Sequence, residues 1–265
     1  MENLCDAVTG KSYRKVIQEL LDGGDVHRTD AQGISPLIWA VVCGSLQTVQ
    51  VLTAVGADPN AFGWISLQFL HENACYFLRS ELNRVRVFDN PCDLTQPVRC
   101  TALHLAVLRG HAEMVAQLVH CGGNPELEME SELSILRGNC RSLVKEFCFE
   151  TQDECRDALR GKGDLCLSKA GFAAFMYKVG IDRMSTIDAY VSHINNLGLM
   201  MASRHQVFGV QASAKLVDAV KKACRTPQFA ERNTKYRGAC LAAVRNYLQY
   251  VESFCKLQIS NYLKN

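Results

Sequence analysis

The apolar positions of this chain repeat every 33 residues in its first half. Four leucines stand at that spacing, namely Leu4, Leu37, Leu70 and Leu103. Ala7, Ala40 and Ala106 follow three of them by three residues, which places a leucine and a small residue one helical turn apart on the same face. Short helical units of this kind bury their apolar faces only by stacking on one another. The pattern therefore predicts an all-α solenoid over residues 1–126.

Turn and capping residues divide each unit into two short helices. Ser35 and Thr101 suit helix N-caps, and Pro36 fits a first turn because its missing N–H is not needed there. Gly44 and Gly110 suit helix ends, where a left-handed residue is favoured. We expect four units with boundaries at 1–30, 31–62, 63–95 and 96–126. The third unit departs most from the others, since it has neither a Gly-His nor a Gly-Ala-Asp sequence.

Two segments carry the signature of a known family. Residues 30–37 read DAQGISPL, residues 56–60 read GADPN, and residues 101–104 read TALH, with Gly-His at 110–111. These segments resemble the ankyrin-repeat pattern D-x-x-G-x-T-P-L-H-x-A-A-x-x-G-H, which ends in G-A-D-x-N. The resemblance implies an ankyrin-repeat solenoid that binds another protein. It also implies that His71 and His104 tie one finger loop to its neighbour.

The resemblance further implies where a partner binds, because the variable positions of the family line the finger tips and inner helices. Mapped onto this chain, they give the candidate residues Gln32, Ile34, Val42, Trp64, Ile65, Tyr76, Val98, Leu108 and Arg109. The set is unusually apolar, and a contiguous exposed apolar patch is typical of an interaction site. Trp, Tyr and Arg also dominate measured interfaces. The alternative is that the C-terminal helices cover this surface.

Beyond residue 126 the 33-residue phase is lost, but helical spacing continues. Residues 127–150 are expected to form capping helices, and residues 151–265 a C-terminal helical domain. The sequence from Ser185 to Asp188 has the form of a capping box and predicts a helix that ends at Gly198. A long helix is predicted from about Asn233, with its aromatic residues, Tyr236 among them, on the core face.

Three short segments of this second half carry a further signature. Residues 185–194 read STIDAYVSHI, residues 233–237 read NTKYR, and residues 242–248 read AAVRNYL. Over residues 168–255 this arrangement resembles the helical core-binding domains of tyrosine recombinases, which clamp DNA. The resemblance implies an alternative function as a nucleic-acid-associated adaptor. We expect no DNA cleavage, because no recombinase catalytic domain follows before Asn265.

Charge is distributed unevenly between the two halves. Residues 1–126 hold 9 Lys and Arg against 13 Asp and Glu, whereas residues 127–265 hold 20 against 14. Within residues 204–245, nine basic residues face two acids. The candidates for contact with an anionic partner there are Lys221, Lys222, Arg225, Arg232, Lys235 and Arg237. The alternative is a solvated helix face, and the core spacing of the aromatics argues against base stacking.

Catalytic and metal chemistry has no visible signature. Thirteen cysteines, an odd number without any C-x-x-C spacing, argue against a disulfide framework and a zinc site. No phosphate-binding loop, nucleophile elbow or zinc-protease motif occurs. We therefore predict a protein-binding module with no cofactor, no metal and no catalytic residue. An enzyme with an unrecognised helical catalytic domain is the third alternative.

The expected compartment follows from the same features. The chain begins with an acidic segment that lacks the basic start and apolar core of a secretory signal, and no apolar run is long enough for a membrane helix. We expect a cytoplasmic protein. The distribution of the family and the unfamiliar helical tail favour a bacterial effector that acts in the cytosol of a host cell.

Overall fold

A computed structural model of the protein describes residues 4–73, 96–146, 151–163, 165–201 and 206–262. These residues are mostly helical, with four short strands, which confirms the all-α class. The chain divides into two compact units, the first comprising Met1–Leu20 and Gly24–Asp164 and the second Leu21–Gly23 and Leu165–Asn265. The first unit therefore extends beyond the expected boundary at residue 150.

Short helices build the first unit. They are α1 (Leu4–Thr9), α2 (Tyr13–Leu21), α3 (Pro36–Val42), α4 (Leu46–Ala54), α5 (Leu67–Asn73), α6 (Ala102–Leu108), α7 (Ala112–His120), α8 (Cys140–Glu146) and α9 (Gln152–Leu159). The predicted caps form, since the hydroxyls of Ser35 and Thr101 accept hydrogen bonds from the backbone N–H groups of Ile38 and His104. Gly44 ends the first helix of its pair with a φ of 69°, in the left-handed region that favours glycine.

Two small antiparallel sheets accompany these helices in the described part of the first unit. Their strands are β1 (Phe62–Ser66), β2 (Pro97–Thr101), β3 (Glu128–Met129) and β4 (Gly138–Asn139). β1 pairs with β2, with Trp64 opposite Arg99, and β3 pairs with β4. The backbones of Arg99 and Glu130 also exchange hydrogen bonds of 2.9 and 3.0 Å. β2 is therefore paired on both of its edges.

The stacking order of the helices differs from the expected one. Helix α1 contacts α3, α3 contacts α6, and α4 contacts α7, so that the second and fourth expected segments pack directly on each other. β1 and β2 pair as the two arms of one hairpin, and residues 67–96 are inserted between them. Leu70 is buried, but the helix that carries it follows β1, and Phe69 lies edge-on against Trp39 at 5.4 Å. In the described residues, the segment expected as a third unit thus forms strand β1 of this hairpin and the start of the insertion.

The described residues of the second unit form five helices. They are α10 (Lys169–Lys178), α11 (Met184–Met200), α12 (Ala214–Ala223), α13 (Pro227–Lys235) and α14 (Ala239–Tyr262). Its core holds a cluster of aromatic rings, in which the centroid of Phe172 lies 5.6 Å from Tyr247 and 5.7 Å from Tyr250. The hydroxyl of Tyr247 donates to the backbone carbonyl of Val207.

Two predicted helix boundaries in this unit are wrong. Helix α11 begins at Met184 with Arg183 as its N-cap, so Ser185 lies inside the helix and does not cap it. The long helix begins at Ala239 and not at Asn233, because Arg237 and Gly238 adopt φ angles of 50° and 86° and break the chain into two helices. Tyr236 therefore lies in a turn and not on the core face of the long helix.

Candidate functional site

The hairpin of β1 and β2, which we call the finger, has an inner and an outer face, because burial alternates along both strands. In β1, Gly63 and Ile65 are buried, while Trp64 is 52% exposed. In β2, Val98 and Cys100 are buried and Arg99 is half-buried between them. Successive side chains of a strand point to opposite faces, so the partly or fully exposed residues share one side. We call this side the finger face and define it by Phe62, Trp64, Arg99 and Glu130.

Arg99 is held at the centre of the finger face. Its guanidinium carbon lies 3.9 Å from the centroid of the Phe62 ring, a cation–π geometry. Its Nη1 lies 2.5 Å from Oε1 of Glu130, the residue whose backbone also pairs with that of Arg99. An ion pair this exposed adds little to stability. Together the ring and the carboxylate fix the direction of the guanidinium beside Trp64.

The structure buries five of the sequence-predicted partner-binding residues and thereby corrects them. Their exposed fractions range from 0% to 7%, and the residues are Ile34, Val42, Ile65, Val98 and Leu108. Ile65 and Val98 lie on the inner face of the finger, directly opposite each other. Val42 and Leu108 are the last residues of α3 and α6, which pack on each other. These apolar side chains contribute to the core and are not available to a partner.

The remaining predicted residues lie in three different settings. Gln32 is exposed in the loop before α3, where its N–H donates to Oδ1 of Asp30 at 2.9 Å. Trp64 is exposed on the finger face. Arg109 is half-buried, and its Nη1 donates to the backbone carbonyl of Val42 at 2.8 Å, so it links α6 to α3. Tyr76 lies outside the described residues.

Asn60 joins the two stacked segments through its side-chain amide. Its Nδ2 donates to the carbonyl of Gly122 at 3.0 Å, and its Oδ1 accepts from the N–H of Asn124 at 2.7 Å. Gly122 and Asn124 follow the second helix of the fourth expected segment, whereas Asn60 ends the second segment. These two bonds satisfy backbone groups of one layer with a side chain of the other, and they fix the spacing of the array that carries the finger face.

His104 performs the structural role that the family resemblance implies. Its Nδ1 accepts from the N–H of Thr101 at 3.1 Å, which leaves the proton on Nε2 to be donated to the carbonyl of Leu127 at 2.9 Å. Burial lowers the pKa of His104 to about 4, so the ring is neutral near pH 7. The imidazole thus ties β2 to the turn that precedes β3.

Three residues of the finger face, Phe62, Arg99 and Glu130, were not among the sequence predictions. The signal for Arg99 was the alternation in PVRCT at residues 97–101, in which Val and Cys are apolar and the Arg between them is not. Phe62 has no such signal, because FGWIS at residues 62–66 does not alternate and its aromatic residues suggest burial. Glu130 has no comparable signal, because it is placed by a bridge between fingers that are far apart in sequence.

The basic candidates of the second unit fall into two groups. Lys221 and Lys222 occupy the last turn of α12, and Arg225 follows that helix. Arg232 and Lys235 lie in the last turn of α13, beside Tyr236. Arg237 follows in the turn between α13 and α14.

The described residues show no candidate metal site, and burial keeps at least two of their thiols protonated. No group of three or more His, Cys, Asp or Glu side chains that could hold a metal ion occurs among them. Burial raises the pKa of Cys5 to about 11 and that of Cys140 to about 12, so these thiols stay protonated at neutral pH.

In the described part of the chain, no helix has the length and apolar character needed to cross a membrane.

The segments that match a known family are the two that pack on each other in the structure. The ankyrin-repeat family model matches residues 32–64 and 99–129. The mitochondrial disaggregase of Bos taurus is 30% identical over 125 residues, which cover 46% of this chain and 18% of that protein. The chain therefore spans less than a fifth of the length of this relative. The two matched segments contain α3 with α4 and α6 with α7, so the chain contains ankyrin repeats at these residues.

Proposed function

We propose that this chain is a protein-binding module and that the finger face is its docking surface. The observation that carries the proposal is the exposure of Trp64, an indole that is 52% accessible on a strand whose register is fixed by pairing with β2. Ankyrin repeats, which the chain contains, are typical of protein-binding modules. Burial of an exposed indole against a partner is favourable by roughly 25 cal/mol for each Å² of apolar surface removed from water.

The chemistry of the finger face indicates what kind of partner surface fits it. Trp64 offers a large apolar contact, while Arg99 and Glu130 beside it offer one donor group and one acceptor group. Arg99 is already ordered between Phe62 and Glu130, so little side-chain entropy remains to be lost on binding. We expect a protein partner that buries an apolar side chain on Trp64 and meets the Arg99–Glu130 pair with polar groups.

Gln32 keeps a place in this proposal as an exposed residue at a finger tip. Arg109 is assigned a positioning role, because its guanidinium holds α3 against α6. The predicted contribution of Tyr76 stays a prediction. A partner site on the first unit thus consists of strand residues and a finger tip, without the apolar helix positions that the structure buries.

The experiment that tests the proposal compares two exposed apolar side chains. We expect Trp64→Ala to weaken partner recovery in a quantitative pull-down by at least 10-fold, since central tryptophans at interfaces contribute about 2 kcal/mol or more. Leu199→Ala is the matched control, because Leu199 is 70% exposed but lies in the second unit. Both variants should unfold at the wild-type temperature. Equal recovery of the same partner by wild type and Trp64→Ala would reject the finger face.

The disaggregase relative supports a shared binding segment only. The match covers 18% of that protein, and we assign no disaggregase activity to this chain. The absence of catalytic residues, the cytoplasmic location, the action as a bacterial effector and the recombinase resemblance of residues 168–255 stay predictions. Each has a direct test, beginning with the identity of the recovered partner.

A further inference from the structure

The turn between α13 and α14 exposes an aromatic ring among cations. The Arg232 guanidinium carbon lies 5.2 Å and the Lys235 Nζ lies 5.7 Å from the centroid of Tyr236. The ring of His193, on α11, lies 4.9 Å from the same centroid. Tyr236 is 40% exposed, and Arg237 beside it adopts a left-handed φ of 50° that is uncommon for residues other than glycine. We call His193, Arg232, Lys235, Tyr236 and Arg237 the tyrosine–cation cluster.

The positive charge of this region exceeds its negative charge several-fold. Residues 221–237 hold six cations and a single acid, Glu231. None of the six forms an ion pair with a carboxylate of the described residues. Burial and then the nearby charge of Arg232 lower the pKa of His193. Uncompensated cations on one surface attract anions and above all polyanions.

A lipid surface is the less suitable polyanion for these helices. Binding in a membrane interface requires an apolar helix face that is free to enter the lipid. Phe229 of α13 is buried, and so are Cys240, Val244 and Tyr247 of α14. On and beside these helices the exposed large apolar side chains of the described residues are Leu241 and Tyr236, at 36% and 40%, which are too few for a lipid-binding face, so the surface offers mainly positive charge.

The geometry points to a binding site for the phosphate backbone of nucleic acid, formed by the tyrosine–cation cluster and extended by Lys221, Lys222 and Arg225. Spaced cations match the spaced phosphates of such a chain, and neutralising them releases counterions. Tyr236 already has His193 and two cations against its ring, so the cluster contacts phosphates and does not read bases by stacking. The site is independent of the finger face, because all its residues belong to the second unit.

The test uses the full chain and a fluorescein-labelled 20-base single-stranded oligonucleotide of mixed sequence. We expect fluorescence anisotropy to show binding at 50 mM salt, with an affinity that falls steeply as salt rises. The double variant Lys235→Gln with Arg237→Gln should weaken binding by about 10-fold or more. It should also lower the slope of log affinity against log salt by roughly 1.4, since each lost phosphate contact on a single strand contributes about 0.7.

A second double variant controls for net charge. Lys169→Gln with Lys178→Gln removes the same charge from exposed positions on α10 and should change affinity by less than about 2-fold. Circular dichroism should show both variants folded. An equal loss in the two variants would overturn the site, as would the absence of wild-type binding at 50 mM salt. Binding to phosphatidylserine vesicles without binding to the oligonucleotide would overturn it in favour of a lipid surface.

Discussion

The two units differ in how they treat their charged side chains. In the first unit, arginines on several elements are paired with carboxylates, namely Arg99, Arg137, Arg141, Arg156 and Arg160. In the second unit, the six cations of residues 221–237 have no such pairs among the described residues. In the first unit an exposed tryptophan thus stands beside the paired Arg99 and Glu130, whereas the second unit presents cations without such pairs. This difference underlies the two proposals, apolar recognition by the first unit and electrostatic recognition by the second.

Their cores differ as well. Layers of leucine, valine and alanine fill the first unit, with Leu4, Leu37 and Leu103 on three helices that contact one another in turn. A cluster of aromatic rings around Phe172 and Tyr247 fills the second. Repeated layers distribute stability over many small contacts, whereas the aromatic cluster concentrates it in a few side chains. Single substitutions should therefore have larger effects in the second unit.

The largest effect is expected for Phe172→Ala. Phe172 is fully buried and its ring contacts Phe208, Tyr247 and Tyr250, so truncation removes a large apolar side chain and leaves a cavity. We expect the free energy of unfolding of the second unit to fall by about 3–5 kcal/mol. Urea denaturation followed by circular dichroism measures this change.

The control for this variant is Val179→Ala, at an exposed position that follows the same helix. It should change the free energy of unfolding by less than about 0.5 kcal/mol. If urea unfolding shows two transitions, the comparison of the units is sharpened when Phe172→Ala lowers the urea midpoint of one transition and leaves the midpoint of the other unchanged. A loss below about 1 kcal/mol would contradict a core concentrated in the aromatic cluster.

An intermediate effect is expected for acid in the first unit, through His104. The pKa of His104 is lowered by burial to about 4, against about 6.5 in the unfolded chain, so between these values the unfolded state binds more protons. Stability is fully present above pH 6.5 and falls as pH drops toward 4, by about 3 kcal/mol in total. Urea denaturation at a series of pH values measures this loss.

The variant His104→Gln separates this residue from the other groups that titrate. It removes the ionisable ring, so its stability should fall less steeply than that of the wild type between pH 6.5 and pH 4. The variant should also be less stable than the wild type at pH 7, since the tie to Leu127 is altered. Parallel pH curves for the two proteins would show that another group accounts for the acid sensitivity. The half-buried His111, whose pKa is also lowered by burial, is the first candidate.

The sequence was sufficient for the repeat helices and insufficient for their order. Caps such as Ser35 and ends such as Gly44 depend on local chemistry, and they form as predicted. Leu70 stands at the same 33-residue spacing as the other leucines. Spacing alone does not distinguish an insertion about as long as one repeat from a true repeat. Only the pairing of β1 with β2, a contact between residues about 35 positions apart, reveals it.

Only part of the candidate sites could be predicted, because exposure also depends on contacts between residues that are distant in sequence. Trp64 was identified because family variable positions fall on it, whereas Val98 and Leu108 were misjudged because the same positions are buried in this array. Tyr236 fitted a core spacing until the left-handed turn at Arg237 and Gly238 interrupted the helix. Positive φ at an arginine has no sequence signal, so the exposure of that ring could not be predicted.

The smallest effect, and the one that tests the stacking order directly, is expected for Asn60→Ala. Its amide makes two hydrogen bonds across the interface between the stacked segments, to Gly122 and from Asn124. Both groups lie near solvent, where water replaces part of what is lost, so we expect the free energy of unfolding of the first unit to fall by about 1–2 kcal/mol. Asn196→Ala is the matched control, because the amide of Asn196 bonds only to Ser192 of its own helix, and it should cost the first unit nothing. If residues 63–95 formed a layer between the two segments, Asn60 would be too far from Gly122 to bond with it. A loss in the first unit caused by Asn60→Ala and not by Asn196→Ala supports the direct stack, whereas an unchanged free energy of unfolding of the first unit in Asn60→Ala would contradict it.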